Sequence, residues 1–112
     1  MKFPRGVSTL PYYKDGANDG RINVELHPED YEDVEAGTKT VAQRADDLVR
    51  EMRRDLKDTA TWESATEDAE GDAAVRDALV EAYVGGFRLG VIENLKDGLA
   101  KRAERRKDGF DY

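Results

Sequence analysis

Side chains suited to acid–base or nucleophilic chemistry are few in this chain of 112 residues. It has no cysteine, which excludes disulfides, thiolate metal sites and cysteine nucleophiles. Its single histidine, His27, precedes Pro28 at a junction between two predicted elements, where a structural role is expected. The 25 carboxylates can form acid–base pairs, but so many form pairs by chance and none stands out. The sequence therefore predicts a protein that is not an enzyme and binds no cofactor.

Two short segments have the composition of ligand-binding loops but not the required pattern. The residues that match a calcium loop are Asp15, Asp19, Gly20 and Ile22. The match fails at Ala17, where an oxygen ligand is required, and at Leu26, where a calcium loop carries a bidentate glutamate. Gly85-Gly86 lies inside an apolar helical pattern and not between a strand and a helix, so it does not resemble a phosphate loop. We predict a plain turn over residues 14–20 and no metal site.

The acidic charge of the chain is concentrated in its middle third. The net charge is −7; residues 28–72 contain 15 acidic and 6 basic residues, a balance of −9, and the segments on either side carry +1 each. Dense carboxylates suit a high-salt interior, because they hold water while the salt screens their repulsion. The composition favours a halophilic organism or one of its viruses, and a GC-rich genome in an ordinary host is the alternative.

No targeting or membrane segment is predicted. The first five residues are not followed by an apolar run, so a secretory signal peptide is not expected. No stretch reaches the roughly 20 apolar residues that span a bilayer. We expect a cytoplasmic or virion location and no contact with a membrane.

Residues 1–27 are predicted to form an extended arm with a short strand at residues 21–27. Apolar and polar residues alternate there, which is the period of a half-buried strand, and the apolar ones are Ile22, Val24 and Leu26. An upstream partner strand would contain Pro11, which restricts it to a sheet edge. A lone hairpin is marginal in water. The arm must therefore lie on its own helices or add to the sheet of a neighbouring chain.

Residues 28–112 are predicted to form an acidic helical domain. A short helix opens at Pro28 with acids in its first turn. The first principal helix, about residues 40–57, begins with a capping box and continues with apolar residues three or four apart, at Val41, Ala45, Leu48 and Met52. Residues 58–71 are polar and aperiodic and are predicted to form a connection.

The second principal helix, about residues 73–106, carries an unusual row of small residues. Its members are four residues apart, at Ala74, Ala78, Ala82, Gly86, Gly90, Asn94 and Gly98. Such a row forms a shallow groove into which another helix packs closely. Gly85-Gly86 opposes helix formation by roughly 2 kcal/mol, so a continuous helix and a break at this pair are both open. A continuous helix would be about 50 Å long, longer than a compact chain of this size is wide.

Two sets of residues are candidates for binding partners. The residues predicted to contact another protein chain are Phe3, Arg5, Tyr12, Tyr13, Ile22, Val24, Trp62, Ala82, Gly86 and Gly90. The cations that could contact nucleic acid phosphates are Lys101, Arg102, Arg105 and Arg106. Cations near a helix C-terminus also suit the helix dipole, and this explanation is favoured for the second set.

The predicted fold class is mainly α, with two principal amphipathic helices in an antiparallel hairpin or small bundle and a short N-terminal strand or hairpin arm. The leading functional hypothesis is a non-enzymatic structural or assembly protein that forms homo- or hetero-oligomers. Its most specific form is a minor virion component or connector of a virus that infects a halophilic host. The alternative is a small regulatory binding module, either an acidic inhibitor that mimics nucleic acid or a DNA-associated factor that uses the basic helix end.

Overall fold

The computed structural model describes residues 2–108 of the chain, with side chains as far as Arg105. The described chain is helical, and residues 2–108 form no strand. The prediction of a mainly helical protein is confirmed. In chain order the elements are α1 (Leu10–Leu26), α2 (Asp30–Glu35), α3 (Val41–Arg54), a short 3-10 helix (Leu56–Asp58), α4 (Ala60–Asp68) and α5 (Ala73–Asp108).

The last helix, α5, is the axis of the molecule. Its 36 residues make it about 54 Å long, and the described chain measures 62 × 24 × 20 Å. The helix continues through Gly85-Gly86 without a break. Gly86 is buried against another helix and Gly85 is exposed, so tertiary packing outweighs the poor helix propensity of the pair.

Two of the helices, α3 and α5, begin at side-chain caps that the sequence signals. Thr40 accepts a hydrogen bond from the Gln43 backbone N–H (3.1 Å), and the Gln43 side chain accepts one from the Thr40 N–H (2.9 Å). This reciprocal pair confirms the predicted capping box of α3. Asp72 likewise accepts from the N–H of Ala74 at 3.0 Å and opens α5.

Replacing Thr40 by alanine should lower the free energy of unfolding by about 1 kcal/mol, because an orphan N–H in the first turn of α3 loses its acceptor. Urea denaturation monitored by circular dichroism measures this change. A matched change at Thr38, which is exposed and precedes the cap, should leave stability within about 0.5 kcal/mol. Equal losses for the two variants would contradict the role of the cap.

The helix α3 runs antiparallel to α5. Arg88 near the middle of α5 donates to Asp46 at 2.8 Å, and Arg53 donates to Glu81 at 2.8 and 2.9 Å. Moving along α3 to higher residue numbers, the contacting residues on α5 therefore have lower numbers. The forked contact with Arg53 lowers the pKa of the Glu81 carboxyl.

The predicted strand at residues 21–27 is wrong, because residues 21–26 belong to α1 and His27 is its C-cap. Val24 is fully buried, whereas Ile22 and Leu26 are 42% and 71% exposed. The alternation that suggests a strand therefore does not mark a buried face. The buried side of α1 is a four-residue row, which consists of Tyr12, Gly16, Gly20 and Val24.

The middle of the small-residue row of α5 is occupied by α1 of the same chain. A Cβ on Gly86 would lie 2.0 Å from the carbonyl oxygen of Tyr13, and one on Gly90 would lie 2.0 Å from that of Ala17. Both contacts pair residue i of α1 with residue i + 73 of α5, so the two helices are parallel. Glycine is required at these positions because backbone meets backbone.

The predicted connection at residues 58–71 is also wrong in part, because Ala60–Asp68 form α4. Thr59 caps this helix by accepting from the Trp62 N–H. A turn then reverses the chain into α5, with positive φ at Glu70 (50°) and Gly71 (88°). The periodicity is weak here because only Ala65 of α4 is fully buried.

Two apolar clusters flank the contact between α1 and α5. The first surrounds the N-terminal half of α5 and includes Val75, Leu79 and Tyr83; the second surrounds its middle and includes Phe87, Val91 and Leu95. Together they hold α1, α3 and α4 along α5. The fold is therefore one long helix, α5, with the shorter helices packed along it.

Candidate interaction surfaces

Four of the residues predicted to bind a partner chain meet in the first apolar cluster of this protein. These are Phe3, Tyr12, Trp62 and Ala82. Val24 is fully buried in the second cluster. Of the other N-terminal candidates, Arg5 is exposed, Tyr13 is 38% exposed and Ile22 is 42% exposed. These three are the candidates of the N-terminal segment with an exposed side chain.

Two tyrosine hydroxyls form hydrogen bonds between α1 and other helices. Tyr12 donates to Asp68 of α4, and Tyr83 of α5 donates to Asp19 of α1 at 2.5 Å. Burial, together with hydrogen bonds to these carboxylates, raises the pKa of both tyrosines. Tyr12, Asp19 and Asp68 are therefore part of the fold and not an unoccupied binding surface.

The Trp62 side chain of α4 has two cations over its ring, one of them from α5. The guanidinium carbon of Arg76 is 4.6 Å from the ring centroid and the Lys57 ammonium is 5.8 Å away. Cation–π contacts of this kind contribute roughly 0.5–1 kcal/mol at exposed sites. The tryptophan that sequence reasoning assigns to an interface is thus packed within its own chain and partly exposed.

The C-terminal part of α5 forms a basic end. Lys101 and Arg105 are exposed and lie on successive turns of the helix. Arg102 is engaged internally, since it pairs with Glu35 and lies 4.3 Å above the Tyr31 ring. The fourth predicted phosphate contact, Arg106, has a side chain outside the described part of the chain. Beyond Arg102, residues 103–105 are all exposed.

The opposite end of the molecule is acidic. Residues 60–72, which comprise α4 and the following turn, contain five acids and no Lys or Arg. Glu63, Glu67 and Glu70 are exposed there. Residue 72 precedes α5 and Arg105 lies near its other end, so the two charged regions are about 50 Å apart along the helix. Sequence reasoning recognises both charge runs but not that they occupy opposite ends of one rod.

A cleft of about 390 Å³ opens between α1, α2 and α3, close to Phe87 of α5. Asp30 lies in it with 2% of its side chain exposed and pairs with Arg44, whose side chain is 17% exposed. At its rim the His27 Nδ1 and Glu29 Oε1 atoms are 3.1 Å apart. A hydrogen bond from its own backbone amide is the main cause of the lowered pKa of Glu29.

Three buried side-chain atoms among the described residues have no hydrogen-bond partner there: Asn23 Oδ1, Asp30 Oδ2 and Arg44 Nε. All three belong to residues that line the cleft of about 390 Å³. Sequence reasoning does not find this site. Its members are far apart in the chain, and each is an ordinary polar residue on its own.

Other kinds of site receive no support within residues 2–105. No group of three His, Asp or Glu residues there is arranged to hold a metal ion. Among the described helices, none combines the length and apolar character needed to cross a membrane. Comparison with known proteins gives no match to a protein-family model, to a curated protein or to a solved structure.

Proposed function

We propose that this protein is a non-enzymatic assembly component whose copies join end to end, the basic end of one rod against the acidic end of the next. The observation that supports the proposal is the separation of opposite charges along α5. Five acids without a base occupy residues 60–72, and six bases with two acids occupy residues 96–107. Such a role suits a small structural component of a virion or of a cellular assembly in a host of ordinary salt concentration, because a high-salt interior would screen the contact.

Charge complementarity at the ends outweighs the repulsion expected from the net charge of −7. The Debye length is about 10 Å at 0.1 M salt, which is much shorter than the 62 Å length of the molecule. A copy approaching one end therefore interacts with the charges of that end and little with the acids of the middle. Contacts that join unlike surfaces repeat without closing, so the expected products are open chains of copies.

The proposal predicts that the mass of the protein in solution depends steeply on salt. At about 0.1 M salt and high protein concentration we expect species larger than a monomer in light scattering after size exclusion. In molar salt the Debye length is about 3 Å, and the same sample should become monomeric. A monomer in both conditions would rule out self-assembly.

Salt-independent oligomers would also contradict the contact between charged ends. They would point instead to the apolar side chains exposed on α1, which are Leu10, Tyr13, Ile22 and Leu26.

Reversing two charges at the basic end should abolish assembly. Lys101→Glu with Arg105→Glu changes exposed side chains and leaves the internal contacts of Arg102 in place. We expect a monomer at low salt with an unchanged helical content by circular dichroism. The matched control, Lys14→Glu with Arg54→Glu, alters net charge equally at exposed positions on α1 and α3 and should still assemble.

Nucleic acid is the competing ligand for the basic end. A DNA duplex added at low salt should not be retarded by the wild-type chain, because the neighbouring negative field opposes phosphate binding. Retardation that disappears in the Lys101→Glu and Arg105→Glu variant would favour a DNA-associated factor over end-to-end assembly.

A further inference from the structure

A groove beside Trp62 lies near the start of α5, at the acidic end of the rod. It measures about 300 Å³ and is lined by residues of α3, the 3-10 helix, α4 and α5. Leu56 and Val80 line it but are almost fully buried, whereas Trp62 is partly exposed. The apolar surface that another molecule can contact there is therefore mainly the indole ring.

One cation of this groove has no carboxylate partner. Glu81 accepts from Arg53 at 2.8 Å, and both residues line the groove. Asp77, also in the lining, accepts from a second arginine at 3.1 Å. The exposed Lys57 forms no ion pair within residues 2–105, although its ammonium lies 5.8 Å from the Trp62 ring centroid. An acidic, aromatic segment therefore complements the groove.

The segment that follows α5 has this composition. Residues 109–112, which lie outside the described part of the chain, are Gly109, Phe110, Asp111 and Tyr112. They come directly after the basic stretch at residues 96–107. The groove likewise adjoins the acidic stretch at residues 60–72, because Trp62 belongs to both. Two rods that meet at their charged ends would therefore also bring this segment close to the groove.

Distances along the rod fit a contact between copies and exclude one within a chain. Asp77 and Glu81 lie about 6–12 Å from the start of α5 at Ala73. Four extended residues span about 13–14 Å, so residues 109–112 of an adjoining copy can reach the groove. Within one chain Glu81 and Asp108 are about 40 Å apart along α5, which is beyond the reach of the segment.

We propose that the Trp62 groove of one copy binds residues 109–112 of the next, a contact that rests on the end-to-end arrangement proposed above. The rings of Phe110 and Tyr112 would lie against the indole, and the Lys57 ammonium would donate to the Asp111 carboxylate. Charge attraction would bring the ends together, and the aromatic contact would fix their relative orientation.

A short peptide tests the groove separately from assembly. The probe is residues 108–112 with acetylated and amidated ends, so it lacks the bases of residues 96–107. The receptor is the full chain with Lys101→Glu and Arg105→Glu, and the readout is the fluorescence of its single tryptophan. We expect a saturable change with this peptide and none with a peptide carrying Phe110→Ser and Tyr112→Ser. No change, or equal changes with both peptides, would overturn the proposal.

Variants of the receptor identify the cation. Lys57→Gln should weaken peptide binding about fivefold, the upper range for one exposed ion pair. Lys14→Gln removes an exposed cation outside the groove and should leave the affinity unchanged. Equal affinities for the two variants would contradict the contact with Lys57.

The full chain separates this contact from the one between charged ends. Phe110→Ser with Tyr112→Ser should raise the concentration needed for assembly at about 0.1 M salt roughly tenfold, as two lost aromatic contacts imply. Assembly as in the wild type would overturn the role of the segment and leave the charged contact standing. A wild-type chain that stays monomeric while the peptide binds would reject the charged contact and retain the groove as a site for the segment.

Discussion

Replacing Gly86 by alanine should lower the free energy of unfolding by about 3 kcal/mol, the upper part of the range for overpacked sites. The added Cβ would lie 2.0 Å from the Tyr13 carbonyl oxygen and 3.0 Å from the Ala17 amide nitrogen. Backbone atoms cannot rotate out of the way, so α1 and α5 must move apart. We expect the melting temperature to fall by roughly 10–15 °C, measured by thermal denaturation with circular dichroism.

The neighbouring glycine provides a matched control for this prediction. A Cβ on Gly85 meets nothing within 4 Å, so Gly85→Ala adds only helix propensity. It should stabilise the protein by about 1 kcal/mol. The same substitution at two adjacent glycines is thus expected to change the free energy of unfolding in opposite directions. If both variants stabilise the protein, the close contact between α1 and α5 is absent and α1 lies elsewhere.

Replacing Asp30 by alanine should lower the free energy of unfolding by about 3 kcal/mol, because it leaves the Arg44 guanidinium buried without its carboxylate. The pair is the most enclosed ion pair with described side chains, since Asp30 is 2% exposed and Arg44 17%. It joins the start of α2 to α3. Urea denaturation with linear extrapolation measures the loss.

Replacing both partners shows whether the loss of stability in Asp30→Ala comes from an uncompensated charge or from lost side-chain volume. Asp30→Leu with Arg44→Met removes both charges together with two of the unpartnered atoms in the cleft, Asp30 Oδ2 and Arg44 Nε. Buried pairs replaced by apolar residues of similar size often recover or exceed the original stability. We expect the double variant to regain most of the loss. A double variant as unstable as Asp30→Ala would show that volume, and not uncompensated charge, causes the effect.

The parts of the fold that depend on local sequence could be predicted. The spacing of Ala45 and Leu48 predicts the buried side of α3 because an α-helix returns to the same face after three or four residues. Thr40 and Asp72 predict the starts of α3 and α5, since each supplies an acceptor for amides next to it in the chain. These signals depend on neighbours within one helical turn, and sequence alone contains them.

The position of α1 depends on contacts distant in the chain, and sequence reasoning missed it. Gly16 and Gly20 suggest a turn when considered locally, because glycine weakens a helix. In the structure they approach the backbone of α5, where a Cβ on Gly16 would lie 2.0 Å from the Tyr83 carbonyl oxygen. The available signal was the four-residue spacing from Tyr12 to Val24, which matches the glycine row of α5.

The candidate surfaces likewise include a part that the sequence predicts and a part that depends on tertiary contacts. The charge runs of α4 and α5 are visible in the sequence, but their placement at opposite ends requires the turn at Glu70 and Gly71 and an unbroken α5. The cleft could not be predicted, because it joins Asn23, Asp30 and Arg44 from three helices. In the sequence the cleft is indicated only by polar residues on the packed sides of these helices.

The most direct test of end-to-end assembly is the mass of a mixture of two variants with reversed ends. One variant, Lys96→Glu with Lys101→Glu and Arg105→Glu, changes the charge balance of residues 96–107 from +4 to −2 at exposed positions, so that both of its ends are acidic. The other, Glu63→Lys with Glu67→Lys and Glu70→Lys, changes the charge balance of residues 60–72 from −5 to +1 at exposed positions, so that both of its ends are basic. We expect light scattering at low salt to give monomers for each variant alone and larger species for their equimolar mixture. A mixture that stays monomeric while the wild-type chain assembles would contradict the proposed contact.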